Sequence, residues 1–154
     1  MEGSITHIQL ACFSLGDRLF AVDIMRIREI IVPQKLSPLP CDSDVLEGVV
    51  NLRGSVVPVM NMRKRFGLPV VGVAAAGKLL IVALASQLLA LAVDDVMEVV
   101  SIPVADIKPP IQMESGVGAE FLLGVCLSGD RVFMILDIDS LLSNSRNIQA
   151  SVPV

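Results

Sequence analysis

The chain repeats itself, and this repetition constrains its fold more than any other feature. Leu19-Phe20-Ala21-Val22-Asp23-Ile24-Met25-Arg26-Ile27-Arg28-Glu29-Ile30-Ile31 aligns without a gap on the segment Leu88 to Val100, a shift of 69 positions. Apolar residues coincide at most positions, Ala21 meets Ala90, and Glu29 meets Glu98. A second match follows at a shift of 76. Gly48-Val49-Val50 corresponds to Gly124-Val125-Cys126, and the run Val57 to Met62 corresponds to Phe133 to Ile138. Proline-rich connections, Pro33 to Pro40 and Pro103 to Pro110, separate the paired segments. Two repeats in the same order, with matching spacers, point to a duplicated unit rather than chance likeness among aliphatic strands.

Each half reads as β-structure. Val49-Val50, Val56 to Met60, Leu79 to Leu84 and Arg131 to Leu136 are short runs rich in β-branched and long aliphatic side chains. Gly16-Asp17, Arg53-Gly54, Ser86-Gln87 and Gly129-Asp130 bound them as turns. Two short helices are expected: Asn61 to Phe66, capped by Asn61 and ended by Gly67, and Ile138 to Leu142 behind a capping Asp137. Closely spaced strands of this kind suggest two related β-barrels packed on one interface. Residues 144 to 154 lack periodicity and read as a loose tail.

With 53% hydrophobic and 18% charged residues, the 154-residue chain has the material for a packed core and is not disordered. Its 12 basic and 16 acidic residues leave a net charge of −4, which argues against binding nucleic-acid phosphates or anionic lipid. Five Phe and no Trp or Tyr leave no stacking platform for bases. One stretch competes as a membrane span. From Val70 to Val93 the only charge is Lys78, and about 20 apolar residues suffice to cross a bilayer. Gly72, Gly77-Lys78 and Ser86-Gln87 interrupt it at strand spacing, so two strands are the preferred reading and a span the alternative. Cys12, Cys41 and Cys126 fit neither a disulfide framework nor a zinc site, and are expected to be reduced and mostly buried, in the cytoplasm. The start, Met1-Glu2-Gly3-Ser4, does not resemble a signal peptide.

Chemistry-bearing arrangements are scarce. His7 is the only histidine, so no metal set or nucleophile–base pair suggests itself. Gly116-Val117-Gly118 lacks the Gly-Lys-Ser/Thr of a phosphate loop. Asp94 and Asp95, as strand neighbours, point to opposite faces and cannot share a proton; Asp137 and Asp139 fall at the second helix. Arg63-Lys64-Arg65 reads as a solvated helix face. The expectation is a non-enzyme with no catalytic, metal or cofactor site. What remains is a binding surface, with Arg53 beside Gly54 at a hairpin tip, and Ile27, Glu29 and Ile30 on a strand of mixed apolar and charged character.

The segment Gly48-Val49-Val50-Asn51-Leu52-Arg53-Gly54-Ser55-Val56-Val57-Pro58-Val59 is similar to the N-L-R-G hairpin of CheW-like coupling proteins of bacterial chemotaxis. Ile27-Arg28-Glu29-Ile30 resembles that family's V-x-E-I segment, and Val93-Asp94-Asp95-Val96 its V-D-x-V segment. The likeness runs from about Thr6 to Leu142. Departures are Asn61, where the family usually has Asp, and the apolar Ala74-Ala75-Ala76. The resemblance implies a mainly β fold of two pseudo-symmetric five-stranded barrels with short helices around a shared hydrophobic interface. One domain would cover 6–143, its first barrel centred on 16–67 and its second on 85–142, with strands exchanged between them. It implies a non-catalytic adaptor, without cofactor, joining the cytoplasmic tips of chemoreceptors to the regulatory domain of the histidine kinase CheA. Such an adaptor would sit at the inner face of the membrane through receptor arrays, or in a related array controlling pili or surface motility. Carried over by position, Ile27, Glu29, Ile30, Arg53 and Gly54 would face the receptor, and Gly48, Val50, Leu52 and Val56 the kinase.

Overall fold

A computed structural model describes residues 6–40, 43–70, 77–110 and 119–142. Ten strands run β1 (His7–Leu15), β2 (Arg18–Asp23), β3 (Ile27–Ile31), β4 (Leu46–Leu52), β5 (Ser55–Asn61), β6 (Lys78–Ala83), β7 (Leu88–Val93), β8 (Asp95–Pro103), β9 (Leu122–Ser128) and β10 (Arg131–Leu136). They form two five-stranded sheets, the first ordered β3-β6-β7-β5-β4 and the second β8-β1-β2-β10-β9. The two shifts of the repeat map β1–β5 onto β6–β10 and turn one strand order into the other. Each sheet therefore borrows from both halves: β1 and β2 join β8, β9 and β10, while β6 and β7 join β3, β4 and β5. Parallel pairing of β2 with β10, and of β7 with β5, stitches the exchange together.

Burial explains why the middle of the chain is so apolar. Along β1, β2, β6 and β7 alternate side chains enter different cores. Leu79, Ile81, Ala90 and Ala92 fill the interior of one sheet with Val50, Leu52, Val57 and Val59. Leu10, Cys12, Ala21, Cys126, Phe133 and Ile135 fill the other. The opposite faces meet in a shared cluster that includes Phe13, Phe20, Val22, Leu80, Val82, Leu89, Leu91 and Phe121. A strand buried on both faces reads as an unbroken apolar run. This corrects the span alternative over 70–93: its described part from Lys78 onward is an antiparallel strand pair, with Leu80 opposite Leu91. No helix among the described residues is long and apolar enough to cross a membrane.

The expected barrels are curled sheets whose edges meet without a full ladder among the described residues. The proline-rich connections supply the closing bridges. Ser37 exchanges both backbone hydrogen bonds with Val49 (2.9 and 2.8 Å), and Lys108 does the same with Val125 (2.8 and 2.9 Å). Glycine is needed opposite each. A Cβ on Gly48 would lie 2.5 Å from the Ser37 carbonyl oxygen, and one on Gly124 would lie 2.4 Å from that of Lys108.

The helix α1 (Met62–Arg65) is capped as expected: Asn61 Oδ1 accepts from the backbone N–H groups of Arg63 and Lys64. Its counterpart is a 3₁₀ turn, Ile138–Ser140, and here the expectation fails, because the Asp137 side chain makes no capping bond. Instead the Asp137 backbone carbonyl accepts from Ser140 N and Oγ. The basic triplet is not a solvated face either. Arg63 pairs with Asp94, Lys64 lies 2.5 Å from Glu47, and Arg65 donates to the Leu141 carbonyl with its guanidinium over the Phe121 ring.

Two ion pairs clasp the sheets together. Asp94 accepts from Arg63 (3.1 and 2.6 Å) and from the backbone N–H of Gly16 in the β1–β2 turn. At the related place Arg26 donates to Asp139 and to the Ala83 carbonyl of β6. A shift of 76 carries Arg63 onto Asp139, and the shift of 69 carries Arg26 onto Asp95, the neighbour of Asp94, so the second clasp lies near the place of the first with its charges reversed.

Two outcomes are expected. Gly124→Ala forces backbone away from backbone, and thermal unfolding should show a loss of about 1–3 kcal/mol. Hydrogen bonds from Arg63 hold the Asp94 carboxyl below its usual range. Its contribution to stability is thus present above the unfolded pKa of about 3.9 and lost as pH falls through the lower folded value. Melting from pH 7 down to pH ~2.5 should therefore show Asp94→Asn less stable at neutrality, with a shallower fall on acidification.

Candidate docking surface

The N-L-R-G hairpin is a two-residue turn in which Leu52 pairs with Ser55. Such a turn demands positive φ at both centres, and Arg53 (51°) and Gly54 (91°) adopt it. Asn51 Oδ1 accepts from Gly54 N at 2.8 Å and fixes the tip. The turn chemistry places Arg53 in solvent. Its guanidinium forks onto both carboxylate oxygens of Glu29, on the strand at the far edge of the same sheet. That contact holds the Glu29 carboxyl below its ordinary range and raises the Arg53 guanidinium. Arg53 and Glu29 thus form one charge-balanced patch across the seam of the first sheet. Gly54 lies beside it with no atom within 4 Å of where its Cβ would be.

Of the remaining receptor-facing candidates, Ile30 is exposed and Ile27 half-buried. A bulge between Ile27 and Glu29 breaks the simple alternation of β3. It lets Ile27 lean on the shared cluster while Ile31 packs in the first sheet's interior. The structure therefore gathers Glu29, Arg53 and Gly54 at one place, with Ile30 on the exposed face of β3.

The four residues suggested for the kinase fall apart into two kinds. Gly48, Val50 and Leu52 point inward; Val50 is 2% and Leu52 8% exposed. Val56, opposite Asn51 on the outer face, is 71% exposed and is the one of the four that offers a side chain to a partner.

The second half carries a comparable ion pair, on Glu98 where the repeat places Glu29, that the site expectations passed over. Arg131 donates to Glu98 at 2.5 Å, its guanidinium stacked over Phe133. The alignment of Glu29 with Glu98 was the available signal. The outer face of β9–β10 is more apolar than its counterpart, since Leu123 and Leu127 stand where the first half has Glu47 and Asn51.

The chemistry-bearing groups singled out from the sequence are mostly paired or buried among the described residues. The carboxylates of Glu29, Asp94, Glu98 and Asp139 are each taken up by an arginine. His7 is exposed at the start of β1, against the Thr6 hydroxyl. Burial pushes the Cys12 thiol up to about 11 and raises that of Cys126, which removes both as nucleophiles. Among the described residues no three His, Cys, Asp or Glu side chains could hold a metal. Cys41, Gly116-Val117-Gly118, Ala74-Ala75-Ala76 and the tail from 144 lie outside the described residues.

Comparison with known proteins agrees with this geometry. The CheW-like domain profile matches residues 9–146. The chemotaxis protein CheW of Treponema pallidum is 33% identical over 142 residues, covering 90% of this chain and 84% of that protein. Protein FrzA of Myxococcus xanthus is 30% identical over 137 residues, covering 88% and 85%. The crystal structure of the scaffolding protein TtCheW from Thermoanaerobacter tengcongensis superposes with a TM-score of 0.80 at 27% identity over 92% of each chain. The chain belongs to the CheW-like domain family and is a chemotaxis scaffold protein rather than an enzyme.

Proposed function

We propose that this scaffold couples the cytoplasmic tip of a chemoreceptor to the regulatory domain of the kinase CheA. The observation that carries the reading is the Arg53–Glu29 patch: a pre-ordered arginine fork, exposed at a hairpin tip and set beside apolar β3. A helical hairpin presents an apolar stripe with polar flanks, and such a strip of fixed charge beside Ile30 is complementary to it. Ile27 supports β3 from beneath. Gly54 keeps the tip low enough for a helix to approach.

The kinase docks at the other side of the same subdomain, on the outer face of the β4–β5 hairpin. Val56 makes the contact, while Gly48, Val50 and Leu52 hold the strand in shape from within. The adaptor transmits by mass action. It holds two partners in fixed geometry, so a receptor shift biases the kinase only through contacts that differ between its states. Assembly on receptor tips places the protein at the inner face of the membrane. Flagellar or other output depends on which receptor and kinase are engaged.

Co-purification with a receptor cytoplasmic fragment and a CheA regulatory domain together tests the coupling, and a chain that captures neither overturns it. Arg53→Ala should weaken receptor capture about ten- to a hundredfold with melting almost unchanged; undiminished capture removes Arg53 from the site. Val56→Asp should fold normally, keep receptor capture, and lose kinase capture by a similar factor.

A further inference from the structure

We propose that Met25 is a sulfoxidation site that disables receptor docking when hydrogen peroxide reaches the protein. This inference rests on the receptor-coupling function proposed above. Met25 lies in the 3₁₀ turn Ile24–Arg26, between β2 and β3, and is 84% exposed. Among the described methionines it stands apart. Met60 and Met62 are fully buried, and Met97 and Met134 are half-buried.

Its position gives the exposure a consequence. Met25 lines a groove of about 630 Å³ together with Ile8, Ile24 and Val104, with His7, Gln9 and Ser101 also in its lining. The Asp23 carboxylate at the rim is occupied, since it accepts from Met25 N at 2.9 Å. The exposed lining of the groove is nonetheless mostly apolar. The turn that carries Met25 runs directly into Ile27 of the docking strand. The groove's occupant is an apolar side chain of the same helical receptor tip that β3 and the Arg53–Glu29 patch are proposed to receive. A long, unbranched thioether suits that contact, being soft enough to adapt to a helix surface.

The chemistry balances with peroxide alone. The thioether sulfur of Met25 gives up an electron pair, the O–O bond breaks, one oxygen bonds to sulfur, and the other leaves as water. The product is a polar, chiral sulfoxide on the apolar wall of the groove. Methionine sulfoxide reductases reverse it, so the site can cycle. Neither buried cysteine competes, because both thiols lie in the second sheet's interior.

The test treats the adaptor with hydrogen peroxide, removes the oxidant, and measures its affinity for an untreated receptor cytoplasmic fragment alongside peptide mass mapping. The Met25 peptide should gain one oxygen before those carrying Met60, Met62, Met97 or Met134. Affinity should fall by about tenfold in step with that gain, and reductase treatment should restore it. Met25→Leu, whatever its starting affinity, should show no change on treatment. Oxidised Met25 with unchanged affinity overturns the proposal, as does a Met25→Leu protein that loses as much as its parent. An untreated chain that does not bind the fragment overturns the receptor reading itself, a failure visible before any peroxide is added.

Discussion

The structure depends on four strands that are buried on both faces. β1, β2, β6 and β7 each send alternate side chains into a sheet interior and into the cluster between the sheets. Burial of apolar surface contributes about 25 cal/mol per Å², and these strands gain it twice over. Small residues at related interior positions, Ala21 and Ala90, leave room for the larger Phe133, Ile135 and Ile81 around them. The remaining elements follow: parallel pairing brings β5 and β10 alongside, hairpins bring β4 and β9, and the proline-rich connections close the seams at Gly48 and Gly124.

Much of this was legible in the sequence, for local reasons. Turn residues marked the hairpins, and Arg53-Gly54 announced its own backbone conformation. The repeat announced two equivalent subdomains. What local reasoning could not supply is long-range pairing. The parallel contacts of β2 with β10 and β5 with β7 join segments from opposite halves, and nothing in either strand names its neighbour. Two-sided burial also disguised β6 and β7, because a strand with no solvent face loses the alternation that identifies it. The clasps were hidden because the repeats set Arg63 against Asp139 and Arg26 against Asp95, so that neither alignment puts one ion pair opposite the other. The direction of β4 was missed for a simpler reason. Val50 and Leu52 alternate with Val49 and Asn51, and two valines side by side do not say which faces inward.

The docking site proposed for this scaffold needs no catalytic chemistry to be specific. Its carboxylates are neutralised by arginines, its thiols are buried, and its exposed hairpin is fixed by side-chain and backbone bonds. Rigidity of this kind lowers the ordering cost of association. Charged contacts around an apolar strip set orientation as well as affinity. The two halves have diverged in these respects. The first keeps Glu47, Lys64 and Asn51 around its β4–β5 face, while the second presents Leu123, Leu127 and Val132.

The exchange of strands between halves carries a historical consequence. A half of five strands cannot complete a sheet alone, but two identical halves could do so about a dyad, each lending strands to the other. The topology is that of an intertwined homodimer whose subunits were tied end to end. In such a dimer every substitution is written twice, so both surfaces must change alike. In a fused chain that symmetry is lifted, and unequal outer faces such as those of β4–β5 and β9–β10 are possible because one copy can mutate without its twin.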